Sequence, residues 1–114
     1  MNDYIDLGRI GELEIAMGID AAAIVASMLD NMTAAIDELE RALAAGDLDR
    51  ATQAAHRCRN DALMLGARQL LGALTDLEAA TRSSDESGAG AALARVRQAW
   101  PPTRAELVAG ANPP

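Results

Sequence analysis

The chain contains a single histidine, His56, which is the strongest candidate for chemistry. A neutral imidazole nitrogen is nucleophilic near pH 7, so a histidine can carry a transferred group, act as a general base or bind a metal. No second histidine exists to share a metal, which argues against a metal site. No nucleophile-and-base pattern surrounds His56, because Cys58 falls on the opposite, buried side of the same predicted helix. Spacing alone is more typical of a solvated surface histidine.

The neighbours of His56 on its helix face are polar or basic. In a helix predicted over Leu48–Leu65, His56 lies about 100° round the axis from Ala55 in the apolar stripe, so its ring is expected to face solvent. Arg59 follows three positions later on the same face, where a guanidinium can pair with an anion or remain a solvated charge. The other residues expected on this face are Thr52, Gln53, Asn60 and Leu63.

The elements that position His56 are predicted to be helices, because apolar residues recur along the chain at three- and four-residue spacing. The predicted helices cover residues 20–45, 48–65, 67–82 and a stretch that begins near residue 89. Asp20 and Asp47 stand at N-cap positions, and Gly46 and Gly66 stand at helix ends. Turn-favouring residues separate the last two helices.

Four helices joined by short loops predict an all-α fold, an antiparallel up-down four-helix bundle. Residues 10–17 can form a short additional N-terminal helix over one end of it. Pro101 and Pro102 are expected to break or kink the last helix, because each removes a backbone donor and clashes with the preceding turn. Leu107 can then continue the helix at a changed angle.

The composition indicates a helical core of small and aliphatic side chains. The chain has 26 alanines, no phenylalanine, one tryptophan and one tyrosine, which disfavours an all-β fold. A length of 114 residues predicts one domain over 1–114, with its core at about 10–108. The stripes expected in the core are Val25, Met28 or Leu29, Met32, Ile36, Leu39 and Leu43, then Leu48, Ala51, Ala55, Cys58, Ala62 and Leu65, then Leu70, Leu74, Leu77 and Thr81, then Leu93, Val96 and Trp100.

Charge and segment composition exclude several classes of partner. The net charge is −7, there is no lysine, and no basic patch stands out, so a nucleic-acid partner is not expected. No signal peptide or membrane-spanning segment is recognisable in the sequence. We therefore expect a cytoplasmic protein that does not associate with a membrane. Cys58 is the only cysteine, which excludes an internal disulfide and predicts a small buried apolar side chain. The alanine-rich, lysine-free composition suits a bacterial protein from a GC-rich genome.

Residues 55–67 resemble the signature of histidine-containing phosphotransfer (HPt) domains. In that signature the histidine is followed by an apolar residue, a basic residue, glycine, two small residues, and later an apolar residue and a second glycine. The positions that match are His56, Cys58, Arg59, Ala62, Leu65 and Gly66. Residues 39–48 and 74–78 resemble the flanking helices of the family. The resemblance covers most of the chain and implies the same four-helix bundle.

The resemblance implies a phosphorelay intermediary without ATP-dependent kinase activity. His56 would accept a phosphoryl group on Nε2 from a receiver-domain aspartate and pass it to another receiver domain. Arg59 would pair with the phosphoryl oxygens, in place of the family's common lysine. Glu78 would either hydrogen-bond the inner ring nitrogen of His56 or lie in solvent. No cofactor or metal of its own is expected, because the receiver domain supplies Mg²⁺.

Two residues depart from the family pattern. Asn60 stands where the family has glycine, and its side chain can donate a hydrogen bond or crowd the approach to His56. Asp61 stands where a small residue is usual. Five positions along a helix correspond to about 140° round the axis, which directs Asp61 away from the face of His56. These departures leave open a second class of function, a non-transferring HPt-like module that docks and regulates a receiver domain or kinase.

The expected partners are response-regulator receiver domains, a hybrid sensor histidine kinase, or both. An exposed apolar patch around His56 would form the docking surface. The residues predicted for it are Leu63, Gln53, Arg57, Ile10, Leu13 and Met17. We expect a monomer, and a helical dimerisation domain is the competing hypothesis. An enzyme with its own substrate pocket is the weakest hypothesis, because no carboxylate pair converges on His56.

Overall fold

The structure, a computed structural model, describes residues 21–111 and contains four helices and no strand in that range. The helices are α1 (Ala21–Ala44), α2 (Leu48–Leu65), α3 (Arg68–Arg82) and α4 (Glu86–Ala111). Three-residue or shorter loops join successive helices, which therefore run antiparallel, and α1 also packs against α4 to close the bundle. The predicted all-α four-helix bundle is confirmed. The helix predicted at 10–17, the cap predicted at Asp20, and the docking residues Ile10, Leu13 and Met17 lie outside the described residues.

Each of the three loops closes the preceding helix with the same backbone motif. At the end of α2, Ala67 N–H donates to the Ala62 carbonyl (2.9 Å) and Gly66 N–H donates to the Leu63 carbonyl (3.2 Å). Gly66 adopts φ +67° there, which is the left-handed conformation of such a C-cap. Gly46 at φ +71° takes the equivalent place after α1, and Ser84 at φ +57° takes it after α3. The left-handed backbone that this motif requires explains the two glycines predicted at helix ends.

Capping carboxylates fix where α2 and α4 begin. Asp47 Oδ1 accepts a hydrogen bond from Arg50 N–H (3.1 Å), so α2 has the predicted bounds. Asp85 Oδ1 accepts one from Gly88 N–H (2.9 Å). For this reason α4 begins at Glu86, three residues before the predicted start.

Of the break or kink expected at Pro101 and Pro102, the break is wrong, because α4 continues through both prolines. Beyond them, Thr103 and Leu107 are fully buried, and the Thr103 hydroxyl donates to the Ala99 carbonyl (2.7 Å). Burial of this last segment against the bundle outweighs the two backbone donors that the prolines lack.

The predicted apolar stripes form the core, with three exceptions. Leu43 and Leu48, on either side of the turn between α1 and α2, and Trp100 in α4 are only partly buried. The inner face of α2 is built almost wholly of small side chains. Its fully buried residues are Ala51, Ala54, Ala55, Cys58, Ala62 and Leu65. Small residues let α2 approach its neighbours closely.

Exposed ion pairs cross three of the four helix–helix contacts. The pair Glu38–Arg50 joins α1 to α2, and the pair Asp76–Arg95 joins α3 to α4. The pair Glu40–Arg97 joins α1 to α4. Such solvent-exposed pairs each contribute about 0–1 kcal/mol. No described helix is long and apolar enough to cross a bilayer.

Two glycine-to-alanine substitutions test the C-cap motif. At both Gly46 and Gly90 an added Cβ meets no atom within 4 Å, but only Gly46 has a positive φ. We expect Gly46→Ala to lower the free energy of unfolding by about 1 kcal/mol through backbone strain. Gly90→Ala, in the interior of α4, should raise it by about 0.5–1 kcal/mol. Urea unfolding followed by circular dichroism measures both, and equal effects would contradict the assigned left-handed cap.

Candidate functional site

His56 lies on the outer face of α2 and is held by a carboxylate from α3. Its side chain is 47 % exposed, and its Nδ1 lies 2.8 Å from Oε1 of Glu78, whose side chain is only 9 % exposed. Because an ionised carboxylate only accepts hydrogen bonds, Nδ1 carries the proton in this contact. In the neutral ring the unprotonated nitrogen is then Nε2. The structure thus places Glu78 on the inner ring nitrogen and not in solvent.

Two arginines accompany the same carboxylate. Arg59 Nε lies 3.8 Å from Glu78 Oε2, and Arg82 Nη2 lies 3.8 Å from Oε1. Burial of a carboxylate is costly unless it is paired, and these two cations and His56 supply the pairing. Arg59 Nη2 also lies 3.4 Å from His56 Nδ1, a contact that is not a hydrogen bond while Nδ1 carries its proton.

Arg59 has capacity to bind a further acceptor. Its side chain is one third exposed, so guanidinium N–H groups other than the buried Nε can face an incoming acceptor. A guanidinium has five N–H donors in a planar fork, which suits the oxygens of a phosphoryl group. The sequence spacing predicted Arg59 beside His56, and the structure brings the two together.

The surface beside His56 is an open depression with no enclosed pocket. It is lined by Thr52, Gln53, His56, Arg57 and Arg82. Gln53 and Arg57 were predicted for the docking surface, and both are exposed here. Arg82 was missed by the sequence analysis, although it stands four positions after Glu78, the spacing that places two helix residues on one face.

Exposed apolar side chains continue this face along α2. Leu63, seven positions after His56, is 55 % exposed, as its poor fit to the core stripe predicts. Met64 is 42 % exposed, a feature that the sequence analysis did not single out. Both lie in the last turn of α2, so the face combines a polar part at the histidine with an apolar part at the helix end.

Asn60 and Asp61 lie on the side of α2 that faces α1. Asn60 is exposed, and both residues line a groove with Arg57, Glu38 and Arg41. Burial raises the pKa of the half-buried Asp61 carboxyl above its ordinary value. Ionisation of Asp61 is therefore less favourable here than it is in water.

Cys58 is fully buried in the core, as predicted. Burial, with a smaller contribution from the negative charge of Asp61, raises the pKa of its thiol to about 12. The thiol is therefore protonated at neutral pH and is not the reactive thiolate that nucleophilic chemistry needs. Within residues 21–111, no three His, Cys, Asp or Glu side chains come together as a metal-binding group.

The desolvation of Asp61 generates a pH-dependent stability prediction. Asp61→Asn removes the charge that burial disfavours, so we expect the melting temperature at pH 7 to rise by about 2–4 °C. The gain should shrink as the pH falls through the raised pKa, because the wild-type carboxyl is then protonated as well. Differential scanning calorimetry at several pH values measures this difference. The exposed Asp37→Asn is the matched control, and a gain for Asp61→Asn that persists in acid would contradict the assignment.

A family of known proteins matches most of the helical bundle. The sequence model of the Hpt domain matches residues 23–106, well over half of the chain. The match includes His56, Arg59 and Glu78 together with most of the four helices that hold them. Searches of curated proteins and of solved structures gave no significant match. The chain belongs to the Hpt domain family, the phosphotransfer modules of two-component signalling that interact with receiver domains.

Proposed function

We propose that this chain is an active phosphorelay intermediary, which accepts a phosphoryl group on His56 from a receiver-domain aspartate and passes it to another receiver domain. The observation that carries the proposal is the 2.8 Å contact between His56 Nδ1 and the nearly buried Glu78 carboxylate. With the proton held on Nδ1, the lone pair of the neutral ring is on Nε2. The half-exposed ring can then present that lone pair to a partner.

The transfer step needs no proton acceptor. The Nε2 lone pair attacks phosphorus, the bond between phosphorus and the aspartyl oxygen breaks, and the aspartate leaves as a carboxylate. The phosphorylated ring keeps its Nδ1 proton and becomes positively charged, and the negative charge of Glu78 stabilises it. The second transfer reverses these steps with a new aspartate as the acceptor.

Arg59 is proposed to bind the phosphoryl oxygens through the donors that the resting site leaves free. Its side chain is one third exposed, and its Nη2 lies 3.4 Å from the His56 ring nitrogen Nδ1. A cation at this place lowers the energy of the negatively charged group in transit.

The partner is proposed to supply the rest of the reaction machinery. The depression at His56 opens to solvent, and an acidic receiver pocket would bring the aspartate and the Mg²⁺ that neutralises phosphoryl charge during transfer. In this proposal the chain needs no cofactor and works as a monomer in the cytoplasm. Leu63 and Met64 then provide the apolar contact with the receiver domain, whether free or part of a hybrid sensor kinase.

The direct test is phosphoryl transfer from a panel of phosphorylated receiver domains, with Mg²⁺, to the wild-type chain and to His56→Gln. We expect acid-labile, base-stable label on the wild type alone, because only the imidazole forms a phosphoramidate. Circular dichroism should show equal helical content in both proteins. Absence of label from every receiver, despite measurable receiver binding, would refute active transfer and favour the non-transferring binding module.

The Asn60→Gly substitution tests whether the asparagine side chain impairs phosphoryl transfer at His56. We expect transfer rates within about twofold of wild type, because the Asn60 side chain is exposed and touches neither His56 nor Glu78 through a hydrogen bond. Quenched-flow transfer from one cognate receiver measures the rate. A gain of about a hundredfold or more would show that asparagine obstructs the site, and it would support a natural role in docking without transfer.

A further inference from the structure

Two threonines join α2 and α3 directly beside the histidine. Thr52 stands one turn before His56 on α2, and Thr81 stands three positions after Glu78 on α3. Their hydroxyl oxygens lie 2.7 Å apart, and Thr81 is only 3 % exposed. The pair thus forms a second bridge between the same two helices, next to the bridge between His56 and Glu78.

The hydroxyl bridge ends on the backbone of the residue that holds the histidine. Thr81 Oγ1 donates to the Glu78 carbonyl (3.0 Å). Since that bond uses the only proton of Thr81, the proton between the two hydroxyls comes from Thr52. The other acceptor within reach of the Thr52 hydroxyl is the Leu48 carbonyl, at 2.8 Å. When the Thr52 proton is donated to Thr81 and not to the Leu48 carbonyl, a chain of hydrogen bonds runs from α2 through Thr81 to the carbonyl of Glu78.

Within residues 21–111, no other directional contact between α2 and α3 holds Glu78 at this distance from the ring. Among the described residues, the bonds Thr52–Thr81 and His56–Glu78 are the hydrogen bonds that join α2 to α3. The arginine contacts to Glu78 are 3.8 Å long, which is beyond hydrogen-bond distance. Packing of alanine and leucine side chains is not directional. A slide or rotation of α3 too small to expose the core would still lengthen the hydrogen bond between Glu78 and His56 beyond its range.

We infer that Thr52 and Thr81 are positioning residues, which hold α3 so that Glu78 keeps the His56 proton on Nδ1 and leaves Nε2 free. The effect on transfer rests on the proposed function, whereas the effect on the ring tautomer does not. Neither threonine needs to touch the phosphoryl group. Their role is to make one of the two neutral forms of the ring dominant before a partner arrives.

The test compares Thr81→Val, which keeps the shape and removes the hydroxyl, with Thr81→Ser, which keeps the hydroxyl. The ¹⁵N chemical shifts of His56, recorded by NMR where the ring is neutral, report which nitrogen carries the proton. We expect Thr81→Val to populate the Nε2-protonated form and to slow transfer by about three- to tenfold, the effect of losing one hydrogen bond. Thr81→Ser should retain the wild-type shifts and rate.

Two further variants keep the outcome unambiguous. Thr52→Val breaks the same bridge from α2 and should repeat the result for Thr81→Val. Thr75→Val is the matched control, because the exposed Thr75 hydroxyl bonds only the Leu71 carbonyl (2.8 Å) within α3. Unchanged His56 shifts in folded Thr81→Val and Thr52→Val would overturn the inference. A tautomer change in a chain whose wild type transfers nothing would support the positioning role and refute the relay.

Discussion

A carboxylate that is nearly buried between two helices has to be paired, and Glu78 is paired with a histidine and two arginines. This requirement ties the fold to the chemistry. The other three helix–helix contacts carry exposed ion pairs of little energetic consequence. Between α2 and α3, the pairing that makes burial of Glu78 tolerable also fixes the tautomer of His56 and keeps a guanidinium beside the ring.

The site is distributed over two helices, yet it depends on local features of each. The cap at Asp47 and the left-handed Gly66 set the length of α2, and the burial of Ala55 and Cys58 turns His56 outward. The burial of Thr81 and Leu77 sets the rotation of α3, and Glu78, between them in sequence, is turned toward α2. The hydrogen bond between His56 and Glu78 needs both helices, because each helix supplies one of its two partners.

Features governed by periodicity and capping could be predicted from the sequence. The bounds of α2, the outward direction of His56 and the exposure of Leu63 follow from spacing within one helix. The position of Glu78 stayed open because spacing within a helix does not fix the register between helices. The same reason hid Arg82 and the hydroxyl bridge. The continuity of α4 through its prolines was missed because burial of the later residues outweighed a local rule.

The alanine-lined inner face of α2 tolerates fewer substitutions than the exposed face of the same helix. Enlarging any of these small side chains would push the whole helix outward and carry the imidazole away from its carboxylate. Substitutions on the exposed face at Gln53, Arg57 or Leu63 leave that spacing unaltered. Descendants of such a chain could therefore acquire new partners by surface changes alone, while the contact between His56 and Glu78 is inherited intact.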